Sequence, residues 1–190
     1  MPYHPVMWDD DLPHGRRRLR LARYDYTRPG AYFVTICVQD RLPLLATVRE
    51  SEMELSPAGQ MVAAVWGQLG QHYRGVEVDV SVVMPNHLHG VITLRSPDAQ
   101  GEADGGNDGA VGIPVRPLSL STLMRRFKTY TTHLYGKGVR SQEWPRYSGT
   151  LWQKSFYEHI IRSERDLHAL RAYILANPSN WRLDRENIER

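Results

Sequence analysis

Along the 190-residue chain the apolar positions fall into short blocks whose period switches between two and about 3.6, and each switch marks an element. Tyr32-Phe33-Val34-Thr35-Ile36-Cys37-Val38 is almost continuously apolar, β-branched or aromatic, and follows the turn Thr27-Arg28-Pro29-Gly30; it predicts a central strand. After a polar connection, Ser56-Pro57 supplies an N-cap and a first-turn proline. Val62, Val65, Trp66 and Leu69 then recur at helical spacing, predicting a helix from Pro57 to His72. Val76 to Val83 alternates and runs into Met84-Pro85-Asn86, a turn, after which a strand begins at His87 and ends near Leu94. Leu120, Leu123, Phe127, Tyr130 and Leu134 predict a second helix from Ser119 to Tyr135, with Gly136 to Thr150 as loop. Ser155 to Ile161 then reads as a fourth strand. Ser163-Glu164-Arg165-Asp166 is a capping-box pattern opening a last helix striped by Leu167, Leu170 and Ile174 and ended by Asn177-Pro178.

The order strand, helix, strand, strand, helix, strand is the split βαβ arrangement. It predicts an α+β, ferredoxin-like fold with an antiparallel sheet and two helices on one side, plus an additional C-terminal helix. Residues 1–23 read as an N-terminal arm, 24–181 as one domain and 182–190 as a C-terminal tail. The Gly/Asp/Ala-rich stretch Asp98 to Gly112, within 97–114, reads as a flexible insertion. No apolar run approaches the roughly 20 residues that span a bilayer, and Met1 to Asp11 lacks the apolar core of a secretory signal, so no membrane partner and a cytoplasmic location are expected. The lone Cys37 excludes an internal disulfide and, inside an apolar strand, reads as a buried inert thiol.

Charge adds a candidate surface. The net charge is only +3, yet of 24 basic residues only Lys128, Lys137 and Lys154 are lysine. Arginine's planar fork suits phosphate, and Arg16, Arg17, Arg18, Arg20 and Arg23 crowd into eight residues. With Arg125, Arg126 and Lys128 of the second predicted helix they are the candidate phosphate-contacting set. A G+C-rich coding sequence and a solvated arm are the plain alternatives. Tyr24, Tyr26 and Trp152 are candidates for stacking on unpaired bases, with burial in the core as the competing reading.

The chemistry centres on His87-Leu88-His89. Alternation along a strand projects both imidazoles from one face, with Leu88 and Val91-Ile92 helping to fill the other face and its surroundings. Two imidazoles at that spacing can grip one metal ion, although a solvated pair is common. On the last helix Tyr173 and Asn177 are one turn apart and share a face. A helix added after the last strand of such a fold can cross the histidine-bearing face, so the phenol and the carboxamide can meet the imidazoles. Two His and one amide leave open positions for water and a phosphate oxygen.

Met84-Pro85-Asn86-His87-Leu88-His89-Gly90, Phe127-Lys128, Leu151 to Arg162 and Tyr173-Ile174-Leu175-Ala176-Asn177-Pro178 together resemble the single-tyrosine His-hydrophobic-His transposases, and among them the REP-associated tyrosine transposases. The likeness spans about Arg16 to Asn187. It implies Tyr173 as nucleophile, His87, His89 and Asn177 as metal ligands, and Mg or Mn as the divalent cation. It further implies single-stranded or hairpin DNA from repeated palindromes as partner, cleaved through a 5′-phosphotyrosine intermediate by a nucleoid-associated monomer or homodimer. Two other readings stay open: a zinc hydrolase using His87, His89 and a further histidine such as His159, and a non-catalytic DNA-binding protein descended from a transposase.

Overall fold

The computed structural model describes residues 29–49, 52–95, 118–141 and 144–187. The arginine-rich arm, Tyr24, Tyr26 and the 97–114 insertion lie outside the described residues.

Among these residues the elements are β1 (Gly30–Cys37), a short hairpin of β2 (Ala46–Arg49) and β3 (Glu52–Leu55), and α1 (Pro57–Gly67) with α2 (Leu69–His72). Next come β4 (Val76–Val83), β5 (His87–Leu94), α3 (Leu120–Ser141), β6 (Tyr157–Ile161) and α4 (Glu164–Ala176). The main sheet is ordered β4-β5-β1-β6 with antiparallel neighbours, so the chain has the α+β, ferredoxin-like fold expected from its element order.

Alternation splits the central strands between two cores. Tyr32, Val34 and Ile36 of β1 and Leu88 and Ile92 of β5 face α1 and α3, where Val62, Trp66, Leu123 and Phe127 close the larger core. The opposite face carries Phe33, Thr35 and Cys37 of β1 and His87, His89 and Val91 of β5. There α4 lies across β4 and β5 and buries Leu170 and Ile174 against Phe33 and Val91. Val91 therefore sits on the histidine face, while Leu88, Ile92 and Leu94 fill the other, as the period of two demands.

Several boundaries differ from the pattern-based expectation, each for a local reason. The polar connection contains the β2–β3 hairpin, whose four-residue strands are too short to leave a periodic signal. The first helix stops at Gly67 and restarts at Leu69, with Gly67 and Gly70 weakening the run. Helix α3 continues through Gly136 and Gly138 to Ser141. Gly138 is there for space: a Cβ would fall 2.2 Å from Trp144 Cδ2. Strand β6 begins at Tyr157 because the preceding backbone is engaged elsewhere, the Gln153 and Ser155 carbonyls accepting from Lys128 Nζ at 2.9 and 2.6 Å. Trp152 is buried, with its Nε1–H donating to Thr131 Oγ1 at 2.9 Å, so it is a core residue and not a stacking platform.

Gly90 joins this fold to the histidines beside it. A Cβ at residue 90 would meet Trp66 Cζ2 at 2.5 Å, inside the larger core. Gly90→Ala is expected to destabilise the chain by about 1–3 kcal/mol through overpacking, read as a lower urea midpoint; an unchanged midpoint would contradict this packing.

Candidate metal and tyrosine site

The turn between β4 and β5 is fixed by its backbone. Met84 N–H donates to the His87 carbonyl at 2.8 Å, Val38 N–H to that of Asn86 at 2.8 Å, and Leu45 N–H to that of Pro85 at 2.9 Å. His87 and His89 leave this turn fully buried and 4% exposed, respectively, with their Nε2 atoms 3.0 Å apart.

The neighbours decide which nitrogens carry protons. Asn86 Nδ2 donates to the carbonyls of Glu186 at 2.8 Å and Arg41 at 3.3 Å, which leaves Asn86 Oδ1 as an acceptor facing His87 Nδ1 at 2.8 Å. His87 is therefore protonated at Nδ1, and its Nε2 lone pair points into the site. His89 Nδ1 lies 2.8 Å from Thr35 Oγ1, directly opposite on β1. A hydroxyl can donate or accept. When it accepts, both Nε2 lone pairs converge as in a metal site; when it donates, His89 Nε2–H satisfies His87 and the pair is stable without an ion. Burial and Arg185 hold His89 at about 3, far below its ordinary 6.5. Burial, the adjacent His89 and Arg41 likewise hold His87 well below its ordinary value. Both rings are neutral at pH 7, the form that ligates metals.

Helix α4 brings the phenol. Ser163 caps it, its Oγ accepting from Asp166 N–H at 3.1 Å. Two side-chain pairs join the helix to opposite edges of the sheet: His159 of β6 to Asp166 at 2.9 Å, and Arg171 to Asp79 of β4 at 2.6 Å. Held this way, α4 places the Tyr173 ring 5.4 Å from His89 and edge-on to Phe33, with its hydroxyl 3.4 Å from His89 Nε2 in the same chain. One turn later, Asn177 is buried and its Oδ1 has no hydrogen-bond partner among the described residues. Such an orphaned acceptor is costly unless something electropositive satisfies it.

One member of the site was not foreseen. After the 3-10 turn Pro178–Leu183, Asp184 comes within 4.8 Å of both imidazoles, so that His87, His89 and Asp184 form a buried group able to hold a metal ion. Residues 184–187, assigned from the sequence to a tail, are instead packed in. Glu186 accepts from Asn86 through its backbone, pairs with Arg41, and accepts from Cys37 Sγ at 3.4 Å. Burial and Glu186 push the Cys37 thiol up to about 12, which keeps it protonated and inert. The zinc alternative placed His159 at this site; the residue that joins the two histidines is Asp184, while His159 is paired to Asp166. Of the candidate DNA contacts, Arg125, Arg126 and Lys128 lie on α3, across the sheet from the histidines. Arg126 rests over the Tyr73 ring, and Lys128 is occupied by two carbonyls.

No protein-family model matches the chain. It is 33% identical over 182 residues to an uncharacterised protein of Haemophilus influenzae, a match covering 93% of this chain and 95% of that one. It is 28% identical over 156 residues to a proposed REP-associated tyrosine transposase of the same bacterium, covering 82% of this chain and 74% of that one. Among solved structures, a REP-associated tyrosine transposase bound to a REP hairpin superposes with a TM-score of 0.54 at 23% identity, over 85% of this chain and 74% of that one. A His-hydrophobic-His strand central in a βαββαβ sheet, crossed by a tyrosine-bearing helix, is the arrangement that the resemblance to the single-tyrosine transposases implies. The chain is thus similar in sequence to a proposed REP-associated tyrosine transposase and shares the fold of a solved one.

The depressed His89 gives a testable pH dependence. Between about 3 and 6.5 the unfolded chain binds the proton that the folded chain refuses, so this contribution to stability is complete above that window and is lost as pH falls through it. In EDTA, the urea midpoint of the wild-type protein is expected to drop more steeply over this range than that of His89→Gln; parallel curves would contradict a buried neutral imidazole.

Proposed function

We propose that the protein is a DNA nicking and joining enzyme acting on single-stranded or hairpin DNA of palindromic repeats, with Tyr173 as nucleophile. The observation that carries this reading is the 3.4 Å approach of the Tyr173 hydroxyl to the neutral His87–His89 pair within one chain. A single subunit so holds every part, and the active form is a monomer working in cis. Its location is the cytoplasm, in contact with the nucleoid.

In the reaction the Tyr173 phenolic oxygen attacks the phosphorus of a phosphodiester in line with the departing 3′-oxygen. The phenolic proton is lost to solvent, the P–O3′ bond breaks, and O3′ leaves as a hydroxyl. The products are a 5′-phosphotyrosine and a free 3′-end. Bond energy is retained in the phosphotyrosine, so a second 3′-hydroxyl can attack the same phosphorus, release Tyr173 and join strands. Phenols ordinarily titrate near about 10 and attack poorly at pH 7, so this chain's contribution is positional. Phe33 fixes the ring edge-on, and the Asp166 and Arg171 pairs hold the helix.

His87, His89 and Asp184, with the orphaned carbonyl of Asn177, would hold a divalent cation. Imidazole with carboxylate and amide oxygen is a mixed set that favours Mn over Mg. A bound cation supplies charge neutralisation at the phosphate. The solved relative bound to a REP hairpin supports the choice of substrate. Exposed Arg182 and Arg185 lie just past the site in the chain and are the nearest candidates for backbone contacts, joining the arm residues Arg16, Arg17, Arg18, Arg20 and Arg23. Arg125 and Arg126, exposed on the far face, would meet DNA only where a hairpin stem reaches that face, and Lys128 is engaged by its two carbonyls.

Incubation with labelled hairpins carrying single-stranded flanks and Mn is expected to give a denaturation-resistant protein–DNA adduct with wild type. Tyr173→Phe is expected to give none while keeping its affinity for the hairpin. An undiminished adduct in Tyr173→Phe would move the nucleophile elsewhere, and no adduct from wild type would leave a DNA-binding protein without this chemistry.

A further inference from the structure

The rings of the site continue on both sides of it. From one edge to the other run Tyr157, Phe33, His89, His87 and Trp181, with successive centroid separations of 6.4, 5.3, 4.4 and 6.1 Å and Tyr173 against the middle of the row. Strand register explains one end: Thr35 pairs with His89 on one side and with Tyr157 on the other, so Tyr157 projects from the same face as the histidines. The 3-10 turn after Asn177 explains the other, carrying Trp181 back against His87.

The three inner rings are buried, whereas the two outer ones reach solvent: Tyr157 is 38% exposed and Trp181 is half-buried. Neither belongs to either hydrophobic core. Large aromatic rings left partly in water on both sides of a phosphate-directed centre have the form of a single-strand binding groove, where bases stack on rings while cations take the backbone. Exposed Arg182 adjoins Trp181 in the chain, and Arg185 follows.

We propose that Tyr157 and Trp181 are stacking platforms for unpaired nucleobases, one on each side of the phosphate addressed by Tyr173. This rests on the DNA-cleaving reading above for the position of the phosphate. The two platforms make the strand cross the sheet face over Tyr173, and they demand that nucleotides flanking the cut be unpaired. They also take the role that the buried Trp152 cannot fill.

Binding without cleavage tests this. Fluorescence anisotropy of the full chain in EDTA is measured on a hairpin with single-stranded flanks and on the same hairpin made blunt. Tyr157→Ala and Trp181→Ala are each expected to weaken the flanked hairpin about tenfold and leave the blunt one unchanged, while Tyr157→Phe and Trp181→Tyr retain affinity. With wild-type protein, replacing flank nucleotides one at a time by abasic residues is expected to cost about tenfold at one position in each flank. The matching alanine variant should lose nothing further there. Equal binding by the alanine variants, equal weakening on both hairpins, or abasic losses that are absent or uniform would each overturn the platforms. Adduct formation by wild type is scored separately: adduct with no platform effect keeps the enzyme and removes the platforms, and a platform effect without adduct does the reverse.

Discussion

Two neutral imidazoles with their Nε2 atoms 3.0 Å apart, almost wholly out of water, are the constraint around which the molecule is arranged. Burying polar rings is unfavourable unless each nitrogen finds a partner. The fold supplies those partners from separate parts of the chain: Asn86 for His87, Thr35 of the neighbouring strand for His89, and the C-terminal segment that locks the Asn86 amide. A slip of one residue in the β1–β5 register would turn Thr35 away and send both imidazoles into the larger core. The apolar alternation that builds two cores therefore also aims the chemistry.

That arrangement sets what α4 must do. The smaller core is only Phe33, Val91, Leu170 and Ile174 with a partly buried rim, so hydrophobic burial holds the helix on the sheet with modest strength. The pairs to β6 and β4 add direction more than stability, because partly exposed polar contacts and ion pairs contribute little. Their positions at opposite edges fix the angle at which α4 crosses, and the angle determines where the Tyr173 hydroxyl lies. The acidic residues brought in by residues 184–187 complete the site: Asp184 faces the imidazoles, and Glu186 is occupied by Arg41 and Cys37.

Much of this was legible in the residue pattern because it depends on local rules. Strand alternation placed His87 and His89 on one face, and the Ser163 cap and the Leu167, Leu170 and Ile174 stripe fixed the phase of α4, bringing Tyr173 and Asn177 round together. Asp184 was not legible, since periodicity ends at Asn177-Pro178 and its position is set by contacts made across the chain to Asn86 and Arg41. Gly136 read as the start of a loop, yet the helix continues through it and through Gly138, whose missing Cβ leaves the space that Trp144 occupies. Trp152 read as a candidate platform and is buried, while Tyr157, two positions before His159 on the edge strand, reaches solvent. Exposure is a tertiary property, and sequence spacing alone does not encode it.

The central claim is that His87 and His89 receive one divalent cation at the foot of Tyr173 within a single chain. Crystals of the protein soaked in Mn and measured at the metal's absorption edge test it most directly. The account predicts one anomalous peak within bonding distance of both Nε2 atoms, with an Asp184 oxygen beside it and Tyr173 of the same chain adjacent. Crystals that show no peak there at saturating Mn, with the two Nε2 atoms still hydrogen-bonded to each other, would contradict it.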